Sequence, residues 1–230
     1  MPPTRDDARS TTGTTSRTTP HAASRATSHP GRLHVAHDPV EVGARKLGLR
    51  TAVRARRRTR GAAEAAEVDA AVARTLLACP LVAGAHRVAC YSSLPGEPGT
   101  RSALSELRRH GVEVLLPVLL PDADLDWEVR AVRSDATGGH GHGPLGPHAI
   151  ATADVVVVPA LAVDTAGRRL GQGGGSYDRA LRRVPARVPV VALVHDDELF
   201  DAAVSPLPVL PHDRPVQAVV TPTRWMPFTA

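Results

Sequence analysis

Four glycines, Gly171, Gly173, Gly174 and Gly175, fall within five residues of the stretch D-T-A-G-R-R-L-G-Q-G-G-G-S-Y-D-R, Asp164 to Arg179. Residue types in this pattern suit an anion. Glycines let backbone N–H groups approach a phosphate closely, and Arg168 and Arg169 add fixed positive charge. A strand-like run, Val155 to Pro159, precedes the stretch, and a helix-like one, Tyr177 to Arg183, follows it. A phosphate there would also meet that helix's positive end. The pattern is neither the G-x-G-x-x-G dinucleotide fingerprint nor a P-loop, which needs G-K-[ST].

Other side chains could complete such a site. Lys46 is the only lysine among 28 lysines and arginines. Where arginine supplies every other positive charge, a lone lysine reads either as a place for a compact ammonium or as chance. Glu97 sits in the loop S-S-L-P-G-E-P-G-T, and its plain reading is a solvated carboxylate. Asp178 and Asp213 read, singly, as surface or capping carboxylates. His140, His142 and His148 have the imidazoles of a metal site but no Cys or acidic partner, and their glycine flanks favour a flexible loop. Cys79 and Cys90 lack C-x-x-C spacing and read as reduced core residues.

The elements that must position these groups follow from periodicity. From Pro39 the pattern is helical, with Val42, Leu47, Leu49 and Val53 apolar, and Arg54 and Arg56 to Arg58 forming a solvated face. Ala62 to Ala78 continues as a second helix that ends before Pro80. Val88 to Tyr91 and Glu113 to Pro117 read as short strands, and Asp126 to Val132 as a half-exposed one with Trp127 in the core. Thr100 is placed to cap a helix over Arg101 to His110. The β-branched runs Val155 to Pro159, Val188 to Val194 and Val216 to Val220 predict strands buried on both faces. Strands alternating with helices predict an α/β fold with the glycine loop at a strand's carboxyl end, where open sheets bind ligands.

With 230 residues the chain suits one domain, over 39 to 230, with a core of Ala, Val and Leu because aromatics are only 3%. Residues 1 to 38, rich in Ser, Thr and Arg, predict a disordered extension. Thirteen of the 28 basic residues but four of the 23 acidic ones lie in the first 60 positions, so the net charge of +5 belongs to that quarter. Nucleic-acid binding is not expected, since this segment lacks aromatic residues for stacking. No run is long and apolar enough for a membrane span or a signal peptide, and a cytoplasmic protein is expected.

Beyond these readings, the run V-P-A-L-A-V-D-T-A-G-R-R-L-G-Q-G-G-G-S-Y-D-R-A-L, Val158 to Leu181, closely resembles the signature of the 5-formyltetrahydrofolate cyclo-ligase family, also called 5,10-methenyltetrahydrofolate synthetases. That signature has a proline after a valine-rich strand, an Asp, then G-x-R-L-G-x-G-x-G-x-Y-D. Lys46-Leu-Gly-Leu-Arg50 resembles the family's K-x-x-L-R opening, and the likeness spans Ala44 to Thr221. It implies a three-layer Rossmann-like fold and ATP-dependent conversion of 5-formyltetrahydrofolate to 5,10-methenyltetrahydrofolate with release of ADP and phosphate. It implies Lys46, Arg169 and Tyr177 as catalytic groups, and ATP held by Lys46, Arg50 and the run Arg169, Leu170, Gly171, Gln172, Gly173, Gly174, Gly175, Ser176 and Tyr177. Folate would meet Ser92, Glu97 and the loop from Gln172 to Ser176, and Mg2+ would bind Asp178 and Asp213. A monomer is expected. Three segments depart from the family's pattern: Gly143 to Pro147 lacks a glutamate, His195 to Glu198 replaces an aromatic and a glutamine, and Ser176 replaces a tyrosine. They leave a nucleotide-binding paralogue without folate activity as the alternative.

Overall fold

A computed structural model describes residues 38–129, 143–211 and 213–228. Residues 1–37 of the expected disordered extension, His140, His142 and His212 lie outside these residues. Two long helices come first, α1 (Pro39–Arg58) and α2 (Ala62–Leu77), followed by the single turn α3 (Pro80–Ala83). Pro39 opens α1, and the Asp38 carboxylate caps it by accepting the Val40 N–H at 2.9 Å. Next come β1 (Arg87–Ala89), α4 (Arg101–Arg109), β2 (Glu113–Leu119) and β3 (Leu125–Val129). After a 3-10 turn at Pro147–Thr152 follow β4 (Val155–Pro159), β5 (Ala162–Asp164), β6 (Arg169–Leu170) and α5 (Ser176–Leu181). The described chain closes with β7 (Val190–Leu193), β8 (Leu199–Phe200), β9 (Ala218–Val220) and β10 (Trp225–Pro227).

Seven strands form the central sheet in the order β10-β9-β7-β4-β1-β2-β3. The five inner strands are mutually parallel, and the antiparallel β3 and β10 close the two edges. The valine run is buried on both faces, as its composition predicts. Val155 and Val157 pack with Leu76, Leu104 and Leu107 of α2 and α4 on one side; Val156 and Val158 pack with Ile150, Ala180 and Leu181 on the other. The result is three layers, helix, sheet and helix. Trp127 is core, at 1% exposure. Cys79 and Cys90 are free and buried, and burial pushes the Cys90 thiol up to about 12.

A second sheet, β6-β5-β8, carries helix α1: Val53 and Leu49 pack on Leu161, Ala162, Leu170, Leu207 and Phe200. Its β5–β6 hairpin stands between the central strand β4 and the glycine loop, which the sequence reading joined directly. Because β6 runs back antiparallel to β5, with Leu161 N–H donating to the Leu170 carbonyl at 2.8 Å, the loop returns to the carboxyl end of β4.

Thr100 precedes α4 but does not cap it. Its hydroxyl donates to the Tyr91 carbonyl at 2.9 Å, and the cap comes from α2, where Asp69 accepts the Ser102 N–H at 3.2 Å and the Ser102 hydroxyl at 2.5 Å. Gly99 makes room for this cap, since a Cβ there would lie 2.5 Å from the Asp69 Cβ. Gly99→Ala is therefore expected to lower stability by about 2 kcal/mol through overpacking and a displaced cap. Urea unfolding reads the change, and an unaltered midpoint would contradict it.

Candidate functional site

Lys46, Arg50, Arg54 and Arg57 recur along α1 at spacings of four, four and three, so they share one helix face that passes over the glycine loop. Arg50 Nε donates to the Gly171 carbonyl at 3.0 Å. Arg54 grips Gln172 at both its backbone carbonyl, 2.7 Å, and its side-chain oxygen, 3.0 Å. The sequence reading put Arg57 on a solvated face and counted Leu47 among the apolar residues of the helix, but Leu47 is 61% exposed while Arg57 is 7% exposed. An arginine stem covers apolar surface as readily as leucine does, provided its head finds a partner.

Within the loop, Gly173 has φ +101 and Gly175, which precedes α5, has φ +74, conformations that side-chain-bearing residues rarely adopt. A Cβ at Gly171 would lie 2.9 Å from Arg169 Nη1, so a larger residue there would shift that guanidinium. Arg169 itself is nearly buried and donates to Asp178 at 2.5 Å, bracing one end of the loop against the other. At 2.5 Å, Lys46 Nζ likewise holds Asp213, with both side chains largely buried. The Asp213 carboxylate also accepts the Leu210 N–H at 2.7 Å. Arg168 turns away to Asp164, whose buried carboxylate also takes the N–H groups of Ala166, Arg168 and Leu207. Leu170 also turns away, its side chain buried under α1, so it offers the site only its backbone.

A cavity of roughly 470 Å³ opens on the loop. One wall is Arg169, the glycines, Gln172, Ser176, Tyr177 and Asp178; a second is Tyr91, Ser92, Leu94 and Glu97 from the loop after β1; the third is apolar, Pro117, Leu119, Leu125 and Pro159. Sequence reasoning missed that third wall because its residues come from three strands and carry no motif. Tyr177 lies at the junction of the two main core clusters. Burial pushes its phenol far above the ordinary value, so it stays a donor, and its hydroxyl has no partner among the described residues. Lys46, Arg50 and Asp213 do not line this cavity; Arg50 reaches the loop from α1, and Lys46, one turn earlier on that helix, pairs with Asp213. No cluster of three or more metal-ligating side chains occurs among the described residues.

Glu97 accepts the Leu94 N–H at 3.0 Å and donates its own N–H to the Leu94 carbonyl, closing a tight turn. The departing segment at Gly143 to Pro147 does not border the cavity; Leu145 N–H donates to the Trp127 carbonyl instead. The departing His195 to Glu198 segment does hold a partner of the site. Arg57 donates to Glu198 through Nε at 2.8 Å and Nη2 at 2.7 Å, and Nη2 also reaches the Ala160 carbonyl at 2.6 Å. The signal was available in part, since Arg57 continues the buried line of Val42, Lys46 and Val53 at helical spacing.

Comparison with known proteins agrees with this architecture. A 5-formyltetrahydrofolate cyclo-ligase of Mycolicibacterium smegmatis is 40% identical over 147 residues, 60% of this chain and 74% of that one. The Escherichia coli K12 enzyme of the same name is 32% identical over 186 residues, 75% of this chain and 97% of its own. The NMR structure of Aquifex aeolicus 5,10-methenyltetrahydrofolate synthetase superposes with a TM-score of 0.65 at 24% identity, covering 80% of this chain and 93% of that one, which speaks to the fold. The profile of the 5-formyltetrahydrofolate cyclo-ligase family matches residues 42–222, the span that holds most of α1, every strand but β10 and the glycine loop, and the chain belongs to that family.

Proposed function

We propose that residues 39–230 form one catalytic domain that converts 5-formyltetrahydrofolate and ATP to 5,10-methenyltetrahydrofolate, ADP and phosphate. The observation that carries this reading is a single cavity in which a glycine loop faces Glu97 across an apolar wall. A phosphate and a flat heterocycle need such neighbours. The formyl oxygen is a poor leaving group; it attacks the γ-phosphorus of ATP, and ADP departs. N10 of the folate then attacks the formyl carbon, losing its proton, and the C–O bond breaks to release phosphate as the ring closes.

Since the nucleophiles belong to the substrates, the protein supplies position and charge. Lys46, Arg50, Arg169 and the loop N–H groups neutralise phosphate oxygens. Glu97 and Ser92 meet polar edges of the folate, and the unpartnered Tyr177 hydroxyl donates to a ligand oxygen. The hard oxygen donors of Asp178 and Asp213 fit Mg2+, which is ordinarily bound by one or two carboxylates together with phosphate and water. When bound, the ion would offset the negative charge of the nucleotide. Each of these carboxylates pairs with a phosphate-holding cation, Asp178 with Arg169 and Asp213 with Lys46.

Purified protein given ATP, Mg2+ and 5-formyltetrahydrofolate is expected to produce the near-ultraviolet absorbance of the methenyl product, and to stop when a chelator removes Mg2+. Absence of product with all three present would sink the reading. The relatives support the main reading rather than the paralogue, and Glu97 borders the same cavity as the loop. The same reading takes the enzyme as monomeric and cytoplasmic, and light scattering checks the first.

A further inference from the structure

The turn Leu94 to Glu97 is closed on itself, so it moves as a unit and carries the Glu97 carboxylate with it. Its stems are braced from below. The Tyr91 hydroxyl donates to the Pro98 carbonyl at 3.1 Å, and Ser93 and Thr100 exchange hydrogen bonds through their hydroxyls and N–H groups. The tip projects toward solvent, with Leu94 67% exposed. What reaches the tip is His195, whose Nε2 lies 3.2 Å from the Gly96 carbonyl. A carbonyl only accepts, so Nε2 carries the proton. Burial lowers the basicity of His195, and a neutral ring with its single N–H on Nε2 satisfies that contact.

His195 is itself held firmly. Its side chain is buried, and its backbone N–H donates to Glu198 Oε2 at 2.9 Å. Arg57 grips Glu198 with two hydrogen bonds and donates to Ala160 just past β4. Gly96, at φ +84, lies directly over Arg57, where a Cβ would come within 3.4 Å of the Arg57 Cβ. The chain Ala160, Arg57, Glu198, His195, Gly96 thus ties the end of the central sheet and helix α1 to the tip of the Glu97 turn.

We propose that His195 is a positioning residue for folate: its N–H sets the height of the Leu94 to Glu97 turn over the cavity, and hence the Glu97 carboxylate. This rests on the reading of Glu97 as a folate contact. Loss of one neutral hydrogen bond translates to about a five- to tenfold effect on binding. His195→Phe keeps a flat ring and removes the donor. It is expected to raise KM for 5-formyltetrahydrofolate about five- to tenfold while KM for ATP and kcat stay within about twofold. His195→Gln, which retains an N–H, is expected to recover most of the loss, and in a double variant the effects of His195→Phe and Glu97→Gln should fall short of additive. A folate KM that responds to Glu97→Gln but not to His195→Phe overturns the positioning role alone. One that responds to neither overturns the placement of Glu97 as well. Parallel changes in both KM values and kcat, with no recovery in the glutamine variant, would assign His195 a merely structural part and reject the proposal.

Discussion

Lys46→Met is expected to reduce turnover by about 10²- to 10³-fold while the protein stays folded. The magnitude is that of removing one preorganised donor from developing charge in a water-poor site, about 3–4 kcal/mol. Lys46 is 8% exposed and lies one turn before Arg50 on a helix that is clamped to the glycine loop at Arg50 and Arg54. Methionine matches its length without its charge. The Asp213 carboxylate retains the Leu210 N–H, so the loss of one ion pair should cost far less stability than activity. Steady-state formation of the methenyl product, read beside a thermal melt, separates the two effects. Turnover close to that of the parent protein would remove Lys46 from the chemistry.

The second large effect concerns stability. Glu198→Ala leaves the Arg57 guanidinium, with a side chain 6% exposed, without its carboxylate and with the Ala160 carbonyl as its remaining hydrogen-bond partner among the described residues. Stranding a buried charge costs about 3–5 kcal/mol, a large part of the 5–15 kcal/mol that holds a typical domain together. A double replacement, Arg57→Met with Glu198→Met, removes both charges and fills the volume with apolar atoms. It should recover most of that loss, because the pair's desolvation offsets much of its attraction. Guanidinium unfolding of the three proteins tests this. A single variant within about 1 kcal/mol of the parent would show that Arg57 finds water or another acceptor.

These two residues mark where sequence reading succeeds and where it stops. Lys46 stood out by composition and by its place in K-L-G-L-R, and in the structure its ammonium pairs with Asp213, 167 residues away. Arg57 offered an ambiguous sign, since arginine at a helical spacing serves a solvated face and a buried anchor equally well. Its partner lies 141 residues away, in a segment that looked only like a departure from the family. Similarly, Thr100 was rightly placed at the start of a helix, yet the side chain that caps that helix is Asp69 from a neighbouring one.

The sequence by itself determined the local conformations and the chemistry they favour. The valine runs are strands covered on both faces because β-branched residues with no polar alternation leave no face for water. The glycine loop is legible because φ values of +101 and +74 demand glycine whatever surrounds them. Only the tertiary structure decided which charges meet. The Lys46–Asp213 and Arg57–Glu198 pairs, the apolar wall from three strands, and the grip of His195 on the Glu97 turn depend on where long loops return. Such contacts are selected by burial and desolvation over the whole fold, which the order of residues along a helix or strand does not contain.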